Sequence, residues 1–126
     1  MSMLSMISVI DDDAAVRAAI DNLLSSEGYL VRTFASAEEF LQSPQLHDCA
    51  CVVADVQMTG MSGVDLLNHM RAQGHSTPFV FITGVPEDSV RDGARKAGAV
   101  GFLAKPFAAP ELIKYVEAAI TRGSAS

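Results

Sequence analysis

Five polar residues of this chain each stand where a short apolar run ends. Three are acids, Asp11, Asp12 and Asp55, and the others are Thr83 and Lys105. Carboxylates that crowd together repel one another, and a hard divalent cation such as Mg²⁺ relieves that repulsion. A lysine and a hydroxyl opposite a metal-bound carboxylate suit the outer oxygens of a phosphoryl group. If these side chains meet, they predict phosphoryl chemistry with Mg²⁺ as cofactor.

The apolar runs that carry these residues are typical of buried strands, because they are short and rich in β-branched side chains. The predicted strands are Leu4–Ile10, Leu30–Phe34, Cys49–Asp55, Pro78–Thr83 and Val100–Ala104. The predicted helices start after Asp13, Ser36 and Ser62, and cover Ser89–Ala97 and Ala109–Thr121. Such alternation favours the α/β class, with a parallel sheet covered on both faces. Parallel strands end at one edge of the sheet, so the five polar residues should converge there.

Length, charge and cysteine content narrow the class of protein. The chain has 126 residues, the usual size of one domain, and a net charge of -6, which argues against direct contact with nucleic acid. Neither a secretory leader nor a membrane-spanning run is expected. Cys49 and Cys51 lie two apart on one predicted strand, so we expect buried thiols on the same face, in a reducing compartment. These features predict a cytoplasmic protein.

Taken singly, each candidate residue has an ordinary structural interpretation. Asp55 could cap the following helix, Thr83 could be a strand-end hydroxyl, and Lys105 could be a solvated surface lysine. Their joint placement favours the functional interpretation. Asp13 is predicted to cap the first helix rather than to bind metal. Three histidines, at positions 47, 69 and 75, are assigned no catalytic role.

Four motifs in register resemble the receiver domain of two-component response regulators. They are Asp11-Asp12, the Asp-x-x-Met-x-x-Met-x-Gly run from Asp55 to Gly63, Thr83-Gly84, and Lys105-Pro106-Phe107. The resemblance covers essentially the whole chain, so residues 1–126 are expected to form a single receiver domain. It implies a doubly wound, flavodoxin-like fold whose five parallel strands follow the order 2-1-3-4-5. The sharp turn after the fifth strand further predicts a cis peptide bond between Lys105 and Pro106.

The resemblance also implies a function and a role for each site residue. A sensor histidine kinase or phosphotransfer protein would transfer a phosphoryl group to Asp55, so the domain would be regulatory rather than an enzyme. The implied Mg²⁺ ligands are Asp11, Asp12, Asp55 and the backbone carbonyl of Gln57. Thr83 and Lys105 would hold the phosphoryl oxygens. Thr83 and Phe102 would act as the switch that alters the surface of helix four, strand five and helix five, where an output domain or a second copy could dock.

Several positions depart from the usual pattern of the family. Thr59 replaces a proline and so removes a restraint on the loop after Asp55. Gln57 and Val85 differ from the residues that usually flank the attacking water, which affects dephosphorylation. Phe102 lacks the hydroxyl of the tyrosine often found there, and it could also be an ordinary core residue.

Two other functions fit parts of the pattern. Asp11-Asp12-Asp13 contains an Asp-x-Asp, as in phosphatases of the haloacid dehalogenase type, although the chain lacks their cap domain and later acidic pair. A degenerate receiver used for docking alone is the other alternative, and the complete acid set argues against it. The last two strands are similar to those of receivers that precede LuxR-type DNA-binding domains, so the chain could be a single-domain regulator or an excised N-terminal domain.

Overall fold

The computed structural model describes residues 5–44, 48–84 and 87–125, with side chains up to residue 121. The predicted start of the first strand at Leu4 lies outside these ranges. So do the predictions for His47 and Val85.

Five strands alternate with five helices along the described chain, as the apolar runs predict. The strands are β1 Met6–Ile10, β2 Leu30–Phe34, β3 Cys51–Asp55, β4 Phe79–Thr83 and β5 Gly101–Ala104. The helices are α1 Ala14–Ser26, α2 Ala37–Leu41, α3 Gly63–Ala72, α4 Asp88–Ala97 and α5 Ala109–Ala125. The observed bounds of β2 are the predicted ones. Helix α5 runs four residues past the predicted end at Thr121, because extending a formed helix requires no new nucleation.

The strands form one parallel sheet in the order β2-β1-β3-β4-β5, which confirms the predicted doubly wound topology. Alternate side chains of β3 enter two separate cores, because successive residues of a strand point to opposite faces. Val53 packs in the core that lies beneath α1 and α5, whereas Val52 packs in the core that lies beneath α2, α3 and α4. Burial on both faces explains why the central strands are apolar without alternation.

Short polar side chains cap the N-termini of the first three helices. The Asp13 carboxylate accepts hydrogen bonds from the backbone N–H groups of Ala15 and Val16, which confirms its predicted capping role. Ser36 and Ser62 cap α2 and α3 in the same way. These caps start each helix directly after the loop that leaves a strand end, so the loops stay short.

The two cysteines correct one prediction. Strand β3 begins at Cys51, so Cys49 lies before the strand. The rule that residues two apart on a strand point to the same face therefore does not apply to this pair. Cys51 is buried in the core beneath α1 and α5, while Cys49 packs against the core on the opposite face. Both thiols are free, and burial raises the pKa of each. The prediction that they share a face is therefore wrong.

Across the described residues, we find no helix that combines the length and apolar character needed to traverse a bilayer.

Candidate functional site

Three carboxylates converge at the carboxyl edge of the sheet. Asp11 follows β1 directly, Asp12 is the next residue, and Asp55 ends β3. One oxygen from each lies within 4.8 Å of the others. Asp11 has no exposed surface and Asp55 is 6% exposed, whereas Asp12 is open to solvent. The three oxygens thus form a compact oxygen-ligand set with one solvent-facing member, which is suitable for a hard cation.

Asp11 is held by its own loop and by α1. Its carboxylate accepts a hydrogen bond of 2.8 Å from the Asp13 N–H, and its carbonyl oxygen accepts one of 2.6 Å from Arg17 Nη1. Burial raises the pKa of the Asp11 carboxyl, and the nearby charge of Asp55 acts in the same direction, against the hydrogen bonds from Asp13 and Lys105. The pocket therefore places its least hydrated carboxylate against a cation.

That cation is Lys105, which follows β5. Its Nζ lies 2.9 Å from Asp55 Oδ2 and 3.0 Å from Asp11 Oδ2, so one ammonium bridges two strand ends. Burial alone would lower the pKa of Lys105, but its hydrogen bonds to Asp55 and Asp11 outweigh that effect and raise it. The peptide bond between Lys105 and Pro106 is cis, as predicted.

The loop between β3 and α3 lies over the pocket and makes contacts that the sequence did not indicate. The Gln57 N–H donates to Asp55 Oδ1 at 3.0 Å. Thr59 donates to Asp12 Oδ2 from its backbone N–H at 3.3 Å and from its hydroxyl at 3.4 Å. The Met61 N–H donates to Glu38 Oε2 at 3.0 Å. The last two pairs join residues 47 and 23 positions apart, so no local spacing predicts them.

Gly63, at the start of α3, allows this loop to close on the strand. A Cβ at this position would lie 2.5 Å from the Asp55 carbonyl oxygen and 2.9 Å from the Phe81 ring. The glycine in the Asp-x-x-Met-x-x-Met-x-Gly run is therefore required by close approach of the backbone to the end of β3.

The two predicted switch residues lie on the last two strands of the sheet, β4 and β5. Thr83 is fully buried at the end of β4, and its carbonyl accepts a hydrogen bond of 2.7 Å from the Lys105 N–H. Phe102 lies on β5 opposite Phe81 and is half-buried against the core beneath α3 and α4. Alternation along β4 puts Thr83 on the same sheet face as Phe81. Thr83 and Phe102 therefore share one face of the sheet.

A groove of about 360 Å³ runs beside Phe102, between α4 and α5. Arg91 lies over the Phe102 ring, with its guanidinium carbon 5.5 Å from the ring centre. Arg95, Tyr115 and the chain from Ala99 to Gly101 complete the lining. The surface predicted to change thus carries basic and aromatic side chains in a protein that is acidic overall.

Comparison with known sequences gives consistent relatives. A family model described as "Response regulator receiver domain" matches residues 7–117. The transcriptional regulatory protein FixJ of Bradyrhizobium diazoefficiens is 42% identical over 114 residues, which cover 90% of this chain and 56% of FixJ. The response regulator protein TodT of Pseudomonas putida is 39% identical over 116 residues, which cover 92% of this chain and 51% of TodT. The chain therefore spans about half the length of these relatives.

Solved structures show the same fold. A receiver domain protein from Clostridium thermocellum superposes with a TM-score of 0.90 at 29% identity, covering 97% of this chain and 98% of that one. The structure of FixJ-N superposes with a TM-score of 0.86 at 32% identity, covering 95% and 96%. Neither comparison supports the phosphatase of the haloacid dehalogenase type. Sequence, topology and the strand-end acids together establish that this chain belongs to the response regulator receiver family, the phosphoacceptor domains of two-component signalling.

Proposed function

We propose that Asp55 accepts a phosphoryl group from the phosphohistidine of a sensor histidine kinase or phosphotransfer protein. A carboxylate oxygen of Asp55 attacks phosphorus, the P–N bond breaks, and the imidazole leaves with the electron pair of that bond. The product is an aspartyl phosphate, a mixed anhydride. The observation that carries this assignment is the 2.9 Å contact between Lys105 Nζ and Asp55 Oδ2 beside two further carboxylates. Lys105 also contacts Asp11, but Asp55 alone of the three acids ends the central strand β3.

The donor set of the pocket fits Mg²⁺, because three carboxylate oxygens meet there and one lies at the surface. Asp11, Asp12, Asp55 and the carbonyl of Gln57 would hold the ion. When bound, Mg²⁺ supplies positive charge that offsets the charge on the transferring group. Lys105 and the Thr83 hydroxyl would hold the remaining phosphoryl oxygens, since both lie at neighbouring strand ends.

The proposed readout starts at Thr83. A hydroxyl that turns toward the new phosphoryl oxygens would leave space on the sheet face that Thr83 shares with Phe102, and the half-buried ring could move inward. Such movement would change the groove of Arg91, Arg95, Phe102 and Tyr115 on the α4-β5-α5 surface. An output domain or a second copy of the chain would dock there. In this account residues 1–126 act as a single cytoplasmic regulatory module with no direct contact with nucleic acid or membrane.

Incubation with acetyl phosphate tests the proposed function. With Mg²⁺, intact-mass spectrometry should show one added phosphoryl group per chain, and chelator should prevent its addition. No addition would leave the docking-only receiver as the better account. Steady turnover of a small phosphate ester would instead favour a phosphatase.

Hydrogen exchange tests the proposed switch. Beryllofluoride mimics the aspartyl phosphate, so its addition with Mg²⁺ should alter protection in residues 89–102 as well as around the acids. Changes confined to Asp11, Asp12 and Asp55 would contradict the proposed coupling to α4 and β5.

A further inference from the structure

The exposed side chain of Glu38 joins α2 to the loop after Asp55. Glu38 lies in the first turn of α2, and its Oε2 accepts the Met61 N–H at 3.0 Å. A hydrogen bond to an ionised acceptor is stronger than one between neutral groups. Glu39, the next residue, is also exposed, and its backbone N–H donates to Ser36 Oγ within α2. Two adjacent glutamates of the same helix therefore differ in whether their carboxylates hold the loop.

The loop is shaped to receive this carboxylate. Gly60 has a φ of +83°, and a Cβ built there would lie 2.7 Å from Glu38 Oε2. The missing side chain at position 60 therefore leaves the space that the carboxylate occupies. A positive φ is accessible to glycine at little cost, so the same residue provides both the turn and the space.

The segment that Glu38 holds is the one that lies over the acidic pocket. Within it, the Gln57 N–H donates to Asp55, and Thr59 donates to Asp12 through two hydrogen bonds. Contact with α2 at Met61 thus restrains the same loop that donates hydrogen bonds to two of the three pocket carboxylates. Loosening that contact would let Thr59 and Gln57 move relative to the carboxylates.

We propose that Glu38 is a positioning residue of the phosphoacceptor site, which fixes the loop over the carboxylates through Met61 and thereby strengthens Mg²⁺ binding. This inference rests on the proposed function, because it takes the three acids as the metal site. Glu38 acts through the backbone and does not bind the ion.

Three variants separate positioning from charge. Glu38→Ala removes the acceptor, Glu38→Gln keeps an acceptor oxygen but removes the charge, and Glu39→Ala removes an equal charge one residue away. Isothermal titration calorimetry with MgCl₂ gives the Kd of each, and NMR hydrogen exchange gives the exchange rate of the Met61 amide without metal. For Glu38→Ala we expect a Kd about two- to tenfold weaker, the factor that one ordinary hydrogen bond provides. The Met61 amide should also exchange faster.

Glu39→Ala should remain within about twofold of wild type in Kd. Glu38→Gln, whose neutral acceptor makes a weaker hydrogen bond, should lie between wild type and Glu38→Ala. Equal Kd values for wild type, Glu38→Ala and Glu39→Ala would overturn the inference about Glu38 alone. Equal weakening in all three variants would also overturn it, since charge and not position would then be responsible. A wild-type protein that binds no Mg²⁺ would overturn the proposed function and this inference with it.

Discussion

At the scale of single residues, the three carboxylates of the site differ in how far a neighbouring positive charge offsets their own. Lys105 contacts Asp11 and Asp55, whereas Asp12 receives hydrogen bonds from Thr59, which is uncharged. Like charges at this separation repel, so without metal Asp12 is the member whose charge is least compensated. The pocket therefore gives up some stability in the free protein and recovers it when a cation binds.

Removing that charge should stabilise the metal-free protein. Asp12→Asn keeps an oxygen that can accept from Thr59, so the substitution changes mainly the charge. We expect the Tm in chelator to rise by about 2–6 °C, equivalent to on the order of 1 kcal/mol. The further rise in Tm on adding Mg²⁺ should shrink.

Differential scanning calorimetry measures the Tm in chelator and the rise in Tm on adding Mg²⁺. Asp92→Asn is the control, because it removes one negative charge on α4, away from the pocket. An Asp12→Asn protein that melts below wild type in chelator would refute the description of the pocket as repulsive.

At the scale of elements, α4 is the weakest cover of the sheet. Of its residues, all of which the structure describes, Ala94 is buried, and the others are partly or fully exposed. Glu87 precedes the helix without a side-chain capping bond among the described residues. Gly93 lies in the helix interior, where glycine lowers helix stability. Such an element opens at low cost, which suits the proposed change in packing beside Phe102.

Replacing either of two glycines in this helix region with alanine should change the stability of the protein, in opposite directions for the two positions. A Cβ at Gly93 would meet nothing within 4 Å, so Gly93→Ala should stabilise the protein by about 0.5–1 kcal/mol. Gly98 ends the helix at a φ of +102°, so Gly98→Ala should destabilise it. Urea unfolding of the two variants checks the signs. A Gly93→Ala protein less stable than wild type would contradict the account of α4.

Local signals determined most element boundaries. Asp13, Ser36 and Ser62 start helices where their side chains predict it, and the glycine at position 98 ends α4 in the left-handed conformation. The prediction that Cys49 belongs to strand β3 was wrong, because the residue at which a strand starts depends on its pairing with the neighbouring strand. Strand β3 begins where Cys51 comes opposite Ile7 of β1, and that register is not visible in the apolar run.

At the scale of the whole molecule, the parallel sheet brings distant residues to one edge. Its order places β1, β3, β4 and β5 side by side, so Asp11, Asp55, Thr83 and Lys105 end neighbouring strands. The residue types and the parallel arrangement made this convergence predictable. The contacts of Glu38 and Thr59 were not, because they depend on the path of a loop across neighbouring elements.

The buried and paired groups also predict how stability changes at alkaline pH. Burial raises the pKa of Cys51 and of Cys49, and burial with the charges of Glu117 and Glu27 raises that of Tyr29. Each group binds its proton more tightly in the folded state. The unfolded chain therefore loses protons first, and stability should fall as pH rises above about 8.5–10, the ordinary range of these groups. Lys105, whose pKa is also raised, contributes in the same direction above about pH 10.

Denaturant unfolding from about pH 8 to about pH 10 measures this slope. Cys51→Ala removes the most deeply buried thiol, so its free energy of unfolding should fall less steeply with pH than that of wild type. An unchanged slope would contradict the contribution assigned to Cys51.

Locating the phosphoryl group on the chain tests directly whether Asp55 is the phosphoacceptor. Wild type and Asp55→Asn are incubated with acetyl phosphate and Mg²⁺, reduced with borohydride to trap the acyl phosphate, and mapped by peptide mass spectrometry. Asp13→Asn serves as the control, because asparagine can also cap α1. We expect modification at Asp55 in wild type and in Asp13→Asn, and none in Asp55→Asn. Acid-labile, hydroxylamine-sensitive phosphate that persists in Asp55→Asn, or that maps to Asp11 or Asp12 in wild type, would contradict that assignment.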